Sequence, residues 1–259
     1  MGKGDIASSA LVEMDNLLGA NTRVRAGVHL NGEVRTGENV LIDTNSIISG
    51  PVSIGSDTYI GQHCVIGHPN ATELDQLLTT KGTQSKSITS IGRGCVIRSG
   101  STIYSNVRIG DGVAFGHNVM VREDVTIGNR TKIGTNSVVD GKSKIGSNVS
   151  VQTGVYICTF STVEDAVFLG PCCVFTNDKY VTQKMFDLIG PTVKKGASIG
   201  ANALLFPGIV VGEGAVVGSQ AMVNKDIPAR TICAGIPARK IRDVPKDWQS
   251  SLLRTLKNG

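Results

Sequence analysis

Apolar residues recur at every sixth position over most of the chain. The first run extends from Val12 to Ile66, the second from Ile91 to Phe175, and the third from Val193 to Val223. A helix turns by about 100° per residue, so a spacing of six would scatter these side chains around its axis. Positions an even number of residues apart share one face of a strand. The spacing therefore predicts short strands with an apolar inner face.

The residues between the apolar positions are typical of tight bends. Gly, Asn and Asp follow the aliphatic residue in many repeats, as in IGDG at 109–112 and IGN at 127–129. These residue types favour turns. Each six-residue unit is predicted to form one strand and one bend, and stacked units would pair their strands in parallel, about 4.8 Å apart.

This repeat resembles that of the hexapeptide-repeat acyltransferases. The resemblance implies three units per triangular coil and a left-handed course of the chain, which periodicity alone does not define. We therefore expect an all-β fold: a left-handed parallel β-helix of about ten triangular coils with two inserted loops and a short C-terminal helix. Residues 1–243 are assigned to the β-helix domain, and residues 244–259 to a C-terminal capping helix, in which Trp248, Leu252, Leu253 and Leu256 stand at helical spacing.

Two insertions, at about residues 68–90 and 177–192, interrupt the repeat. Solenoids tolerate insertions, but long loops in a strict repeat are more often functional. A β-helix filled with side chains has no interior cavity, so a ligand must bind outside it. The resemblance implies a homotrimer, with ligands in the groove between neighbouring copies and the insertions as its walls.

Composition excludes several classes of protein. The 32 glycines and the aromatic content of 4% suit a narrow column. The net charge of +5 comes from scattered Lys and Arg without an aromatic platform, so nucleic acid is not expected as a partner. The chain shows no signal peptide and no long apolar stretch, which predicts a cytoplasmic protein without a membrane span. The six cysteines lack metal spacing and are predicted to be reduced core residues.

Four segments carry a more specific resemblance. They are GHNVMVREDVTIG (116–128), VFLGPCCVFTNDKY (167–180), KKGASIGANALLFPG (194–208) and AGIPARKIRD (234–243). Together they resemble N-acetyltransferases that modify nucleotide-linked amino sugars, nearest to the 3-amino-3,6-dideoxyhexose type. The resemblance implies acetyl-CoA as cosubstrate and a dTDP- or UDP-linked amino sugar as acceptor, in the synthesis of polysaccharide precursors.

Acetyl transfer from a thioester requires an uncharged amine, alignment of the two substrates and stabilisation of the developing oxyanion. His117 is the candidate base, because imidazole exchanges protons near neutral pH; it could instead hydrogen-bond the sugar. Glu123 is a candidate to orient His117 or the amine, with a solvated bend carboxylate as the alternative. Asn177, at the start of the second insertion, completes the candidate catalytic set, unless it is an ordinary turn residue.

The candidate binding residues fall into two groups. Polar residues predicted to contact the amino sugar are Gln152, Thr153, Asp178 and Tyr180. For CoA, small residues would leave room for the pantetheine arm and cations would meet the phosphates. These residues are Lys195, Gly200, Ala201, Ala203, Gly218, Ser219, Arg239 and Lys240. No metal site is assigned.

Three alternative functions remain open at this point. A γ-type carbonic anhydrase would bind zinc through three histidines, and His29, His63 and His68 have a suggestive spacing. A lipid-A-type acyl-ACP transferase carries an insertion in a similar part of the repeat, but Glu123 stands where a histidine is expected. A non-catalytic scaffold is the third alternative, and the CoA-end motif argues against it.

Overall fold

The computed structural model describes residues 5–13, 16–79 and 87–256. Part of the first insertion, residues 80–86, and the last positions of the predicted C-terminal helix, residues 257–259, therefore lie outside the described residues. The described residues form two compact units, which divide between Asp124 and Val125. Each unit is built from three sheets, which we name A1, B1 and C1 in the first unit and A2, B2 and C2 in the second.

The first unit contains short strands and one helix. Its strands are β1 (Asp5–Ile6), β2 (Leu11–Val12), β3 (Arg23–Val24), β4 (His29–Asn31), β5 (Val34–Thr36), β6 (Leu41–Ile42), β7 (Ile47–Ser49), β8 (Val52–Ile54), β9 (Tyr59–Ile60), β10 (Val65–His68), β11 (Thr89–Ile91), β12 (Val96–Ile97), β13 (Thr102–Tyr104), β14 (Arg108–Ile109), β15 (Ala114–Phe115) and β16 (Met120–Val121), and its helix is α1 (Ala71–Thr79). The strand order is β1-β3-β6-β9-β12-β15 in A1, β2-β4-β7-β10-β13-β16 in B1 and β5-β8-β11-β14 in C1.

The second unit repeats the arrangement and ends in a helix. Its strands are β17 (Thr126–Ile127), β18 (Lys132–Ile133), β19 (Val138–Val139), β20 (Lys144–Ile145), β21 (Ser150–Val151), β22 (Tyr156–Ile157), β23 (Thr162–Val163), β24 (Phe168–Leu169), β25 (Val174–Phe175), β26 (Thr192–Val193), β27 (Ser198–Ile199), β28 (Leu204–Leu205), β29 (Val210–Val211), β30 (Val216–Val217), β31 (Met222–Val223), β32 (Thr231–Ala234) and β33 (Arg239–Asp243), followed by α2 (Ser251–Leu256). The order is β18-β21-β24-β27-β30-β32-β33 in A2, β19-β22-β25-β28-β31 in B2 and β17-β20-β23-β26-β29 in C2.

Neighbouring strands pair in parallel with the equivalent residue of the next coil. In A1, Val24 pairs with Ile42, and Ile42 pairs with Ile60. This register confirms the predicted parallel β-solenoid. It has about twelve turns where the hexads predicted about ten, because β1 and β32 add strands beyond the two ends of the counted repeat.

The sixth-position residues form an apolar column inside each unit. Ile48 and Ile66 in B1, and Ile157 and Phe175 in B2, are fully buried. Each such side chain contributes about 1.5–3 kcal/mol through removal from water. Small residues four positions later fill the corners, and where one is polar it finds a backbone partner, as when Ser46 Oγ donates to the Gly61 carbonyl at 2.7 Å. The repeat is thus explained by packing.

Turns join the strands at three corners in each unit, which we name by the sheets they connect. A residue near the middle of the turn often adopts a left-handed conformation, as at Asn39 (φ 56°) and Asp57 (φ 61°). Asn and Asp tolerate this region better than other residues with a side chain. Their side chains also connect coils, because Asn39 Nδ2 donates to Asp57 Oδ1 at 3.0 Å.

The first insertion contains the helix α1 and is therefore not only a loop. Asn70 and Glu73 form a capping box: the Glu73 N–H donates to Asn70 Oδ1 at 3.0 Å, and the Asn70 N–H donates to Glu73 Oε2 at 2.9 Å. Ser105 Oγ also donates to Glu73, which is buried. The leucines of α1 are exposed instead. This reversed polarity explains why the hydrophobic pattern gave no helix here.

The second insertion, between β25 and β26, contains neither helix nor strand, as predicted. A C-terminal helix is present as α2, but it begins only at Ser251, so the predicted start at residue 244 is wrong and Trp248 lies in the non-helical segment before it. The side chain of its Leu253 lies against Gly196, and Ser250 Oγ donates to the Ala166 carbonyl at 3.5 Å, so this segment contacts the C2–A2 corner. The edge of A2 is covered by β33, which pairs antiparallel with β32. Neither helix of the described chain has the length and apolar character needed to span a bilayer.

Candidate functional site

His117 lies in the last A1–B1 turn of the first unit, between β15 and β16. Its side chain is exposed, and the preceding Phe115 is fully buried. The next residue, Asn118, has a φ of 54°, which bends the chain sharply into β16. The repeat therefore directs the imidazole outward at a corner, where it can meet a ligand.

Glu123 lies at the other end of β16 from His117, in the turn that follows this strand. Its carboxylate forms a bidentate ion pair with Arg122, in which Nε donates to Oε2 at 2.8 Å and Nη2 donates to Oε1 at 2.9 Å. The Arg122 Cζ atom lies 4.9 Å from the centroid of the Tyr104 ring. The Tyr104 ring packs edge-on against His68, with the two ring centroids 4.7 Å apart. The prediction that Glu123 orients His117 is thus not supported within one chain, because β16 separates them and Arg122 holds the carboxylate.

Asn177 begins the second insertion at the B2–C2 corner. Its Nδ2 donates to the Thr159 carbonyl of the preceding coil at 3.4 Å, and its carbonyl accepts the Ile189 N–H at 3.1 Å. The second contact closes the insertion at its base. Hydrogen bonds from its side chain and to its backbone carbonyl therefore fix the position of Asn177. Its side chain is half-buried and lies where the insertion leaves the coil.

Asp178 and Tyr180 shape the same insertion. The carboxylate oxygens of Asp178 accept the N–H groups of Tyr180 and Thr182 at 2.8 and 2.7 Å. The Tyr180 ring packs edge-on against Phe186, with ring centroids 5.4 Å apart. The structure thus gives Asp178 a role in ordering the loop, which is compatible with a contact to substrate but does not require one.

Sequence reasoning missed a polar pair on the same side of the second unit. The Tyr156 hydroxyl donates to Asp140 Oδ2 at 3.1 Å, and both residues belong to the coils that precede Asn177. Phe160 stands next to Thr159 with a φ of 67°, an unusual conformation for an aromatic residue. The sequence spacing could have indicated the contact between Tyr156 and Asp140, because residues 16 positions apart lie in adjacent 18-residue coils.

The A2–B2 corner brings most of the remaining predicted residues together. Gln152 and Thr153 stand in one turn of this corner, and Gln152 Nε2 donates to Ser150 Oγ at 2.9 Å. Later turns of the same corner carry further predicted CoA residues, namely Gly200, Ala201, Gly218 and Ser219. The corner therefore presents a line of mostly small residues, parallel to the stacking direction, with polar groups at its start.

Packing explains some of these small residues without a ligand. A Cβ at Gly200 would come within 2.4 Å of the Ser219 nitrogen, and one at Gly218 within 2.7 Å of the Ala234 Cβ. Ala203 is fully buried, four positions after Ile199, where it fills the small core position of the repeat. The prediction that Ala203 contacts CoA is therefore wrong, because its side chain faces the interior.

The predicted cations at the C-terminal end of the line lie on the antiparallel strand β33. Arg239 and Lys240 are exposed there. They lie beside the A2–B2 corner, because the preceding Ala238 N–H donates to the carbonyl of Met222 at 2.8 Å. Lys240 Nζ pairs with Asp243 at 2.6 Å. The hairpin therefore offers positive charge at one end of the line of small residues.

Lys195 is not part of this line, since it lies at the C2–A2 corner. It borders a cavity of about 1040 Å³ between that corner and the C-terminal segment, together with Arg230, Lys246 and Trp248. Its neighbour Lys194 pairs with Glu164 at 2.8 Å. Burial tends to raise the pKa of Glu164, but hydrogen bonds from Lys194 and the Lys195 N–H outweigh it and lower that pKa.

The three histidines of the zinc alternative do not form a cluster. Within residues 5–13, 16–79 and 87–256, no group of three or more His, Cys, Asp or Glu side chains could hold a metal ion. His68 instead packs against Tyr104, and His63 stands in a turn with a φ of 54°. The zinc alternative therefore receives no support from the described residues.

Comparison with known proteins identifies the repeats. Residues 33–68, 89–122 and 106–141 match the family model of the bacterial transferase hexapeptide (six repeats). Residues 195–223 match the hexapeptide repeat of succinyl-transferase.

Two relatives share parts of the chain. A Schizosaccharomyces pombe protein named as an acetyltransferase is 33% identical over 103 residues, which are 36% of this chain and 50% of that protein. The dTDP-3-amino-3,6-dideoxy-alpha-D-galactopyranose 3-N-acetyltransferase of Aneurinibacillus thermoaerophilus is 51% identical over 47 residues, 18% of this chain and 24% of that enzyme. The aligned regions thus span half or less of these relatives.

A solved structure shares the fold. The UDP-N-acetylglucosamine acyltransferase of Campylobacter jejuni aligns with a TM-score of 0.52 and 17% identity, over 98% of this chain and 82% of that one. With the repeat, the register and the matched segments, the chain belongs to the hexapeptide-repeat acyltransferase family.

Proposed function

We propose that this protein is an acetyl-CoA-dependent N-acetyltransferase that acts on the amine of a dTDP- or UDP-linked amino sugar. Family membership and the fungal relative support the coarser part of the proposal, acyl transfer from a CoA thioester. The short and highly similar stretch shared with the dTDP-amino-sugar enzyme supports the choice of acceptor.

The observation that carries the proposal is the line of residues along the A2–B2 corner. From the turn of Gln152 and Thr153 to the hairpin of Arg239 and Lys240 there are four coil steps, or about 19 Å at ordinary strand spacing. An extended pantetheine arm can lie beside small residues along such a line. The two cations would then offset the charge of the CoA phosphates at its end.

In the proposed reaction, the neutral sugar amine attacks the carbonyl carbon of the thioester. The carbonyl oxygen gains negative charge, the C–S bond breaks, and CoA leaves as a thiolate. His117 accepts the proton that the amine nitrogen loses, and the thiolate is protonated in turn. A general base of this kind contributes about 100-fold or more to the rate. We assign Asn177 a hydrogen bond to the sugar or to the thioester.

We also propose that the protein acts as a homotrimer. The interior of each unit is filled by the apolar column, so the substrates must bind to outer surfaces. A groove between copies would enclose an elongated cosubstrate more fully than one exposed corner does. Enclosure excludes water and strengthens the electrostatic interactions on which the reaction depends.

Variant kinetics test the assigned residues. His117→Ala and Asn177→Ala should each lower kcat/KM for the nucleotide-linked amino sugar at least about tenfold, with the fold unchanged by circular dichroism. His29→Ala in β4 and Asn224→Ala in another B2–C2 turn are matched controls and should keep the wild-type value. Wild-type rates in the first two variants would remove these assignments. Transfer from acyl-ACP, but not from acetyl-CoA, would overturn the proposed donor.

A further inference from the structure

The A1–B1 corner of the first unit carries an excess of basic side chains. Besides the buried Cys64, the charged or titratable side chains of its described turns are Arg25, Asp43, His63, Arg98 and His117. The C1–A1 turns are acidic by comparison, with Glu38, Asp57, Arg93 and Asp111. An anionic ligand is therefore attracted to the corner that presents His117 rather than to its neighbour.

The one carboxylate of the A1–B1 corner is already engaged. Asp43 accepts hydrogen bonds from the Thr44 N–H at 2.8 Å and the Tyr59 hydroxyl at 3.0 Å. Burial tends to raise its pKa, but these hydrogen bonds and the charge of Arg25 outweigh it and lower the pKa. Arg25 thus has a nearby ionised carboxylate. In the part of the chain that the structure describes, no carboxylate pairs with Arg98.

Arg98 is held against the strand that leads to His117. Its Nη1 donates to the Phe115 carbonyl at 3.1 Å, two residues before the histidine. The two turns belong to adjacent coils, because β12 pairs directly with β15, and adjacent coils lie about 4.8 Å apart. The rest of the side chain is exposed. One N–H of the guanidinium therefore fixes its position, and the others can reach a ligand at the corner.

We infer that Arg98 binds the phosphate attached to the acceptor sugar, an inference that rests on the proposed function. With the sugar amine at His117, the anomeric phosphate lies about one pyranose ring away, a displacement comparable to one coil step. A guanidinium offers paired N–H donors that match two phosphate oxygens. CoA also carries phosphates, but they lie at the far end of pantetheine from the reacting thioester. Proximity to the base therefore favours the acceptor.

Binding measurements test this inference without requiring turnover. The full chain, as wild type, Arg98→Gln, Arg98→Lys and Arg93→Gln, would be titrated calorimetrically with dTDP, UDP and CoA. Arg93 is a matched control, because it lies in the same coil at the C1–A1 corner. Arg98→Gln should weaken binding of the preferred nucleoside diphosphate about tenfold. Arg98→Lys should weaken it less, because lysine keeps the positive charge but lacks the paired N–H donors of the guanidinium. Arg93→Gln should change nothing, and CoA affinity should stay constant throughout.

Three results would overturn the inference. They are unchanged nucleoside diphosphate affinity in folded Arg98→Gln, a loss of affinity for CoA instead, and no nucleoside diphosphate binding by the wild type. Should Arg98→Gln fail to fold, equal affinities of Arg98→Lys and wild type would overturn it too. Failure of the proposed function looks different: phosphate binding would still depend on Arg98, while the wild type acetylated no amino sugar.

Discussion

The position of a cysteine in the repeat determines its reactivity. Burial raises the pKa of Cys158 to about 11 and that of Cys173 to about 12. Burial also raises the pKa of Cys64, Cys95 and Cys233. All six cysteines are free, and five of them are buried as predicted, but the prediction of a core position is wrong for Cys172, which is exposed in an A2–B2 turn. The buried thiols are therefore protonated and inaccessible at neutral pH.

We predict that one thiol per native chain reacts with a disulfide reagent at neutral pH. Cys172→Ser should abolish the reaction, whereas unfolding in guanidinium should expose every remaining cysteine. Absorbance of the released chromophore counts the reacting groups. Rapid labelling of a second thiol in the native wild type would contradict the assignment.

The Tyr59–Asp43 pair predicts a pH-dependent contribution to stability. A carboxylate whose pKa is lowered in the folded state stabilises the fold above its unfolded pKa, and this contribution is lost as the pH falls through the folded value. Tyr59→Phe removes one of the hydrogen bonds that lower the pKa of Asp43. The loss in free energy of unfolding should therefore be larger near pH 7 than below about pH 3.

Urea denaturation over a pH series measures this difference. Tyr104→Phe is the control, because Tyr104 lies outside the Asp43 pair, and its effect should not follow the same pH dependence. A Tyr59→Phe effect that is constant from neutral to acid pH would show that the hydroxyl does not act through Asp43.

At the scale of elements, α1 depends on a polar anchor. Glu73 caps its N-terminus and accepts a hydrogen bond from Ser105, while the leucines of the helix remain exposed. Glu73→Ala should destabilise α1 locally by about 1 kcal/mol or more, since it removes both contacts. Hydrogen exchange of the amides at 71–79 should accelerate, with the β-solenoid amides unchanged.

Asp75→Ala is the matched control, because Asp75 lies on the same helix with its side chain exposed. It should leave the exchange of α1 near the wild-type rate. Equal protection of α1 in Glu73→Ala and wild type would mean that the helix is held by other contacts.

The elements were predictable where one physical rule controls them. The apolar spacing of six follows from stacking, so it identified the coils around Ile48 and Ile157. It could not identify α1, whose buried residue is a glutamate. The antiparallel return of β33 was equally hidden, because its exposed residues carry no apolar alternation.

The site was predictable to a smaller extent. The repeat phase put His117 at an exposed corner, and the same phase contained the information that Ala203 faces the core. Lys195 and Gly200 are five residues apart, yet β27 separates them onto different corners. The charge and size of a side chain do not by themselves assign a residue to a corner. A single sequence also gives no sign of the hydrogen bond between the Arg98 side chain and the Phe115 carbonyl.

At the scale of the whole molecule, the proposed trimer makes a simple prediction. Light scattering should give a mass three times that of the 27.2 kDa chain at working concentrations. Leu11 on B1, and Val181 and Met185 on the second insertion, are exposed apolar residues that association could cover. A monomer that acetylates its substrate at full rate would contradict the proposal that ligands bind between copies.

Product analysis tests the central claim most directly. Wild-type protein would be incubated with acetyl-CoA and either a dTDP- or UDP-linked amino sugar or the matched sugar nucleotide with a hydroxyl in place of the amine. Mass spectrometry should find one acetyl group on the sugar nitrogen, with an equal amount of free CoA, and no product from the hydroxyl analogue. Acetylation of the hydroxyl analogue alone, or no transfer to any nucleotide-linked amine in the panel, would contradict the account.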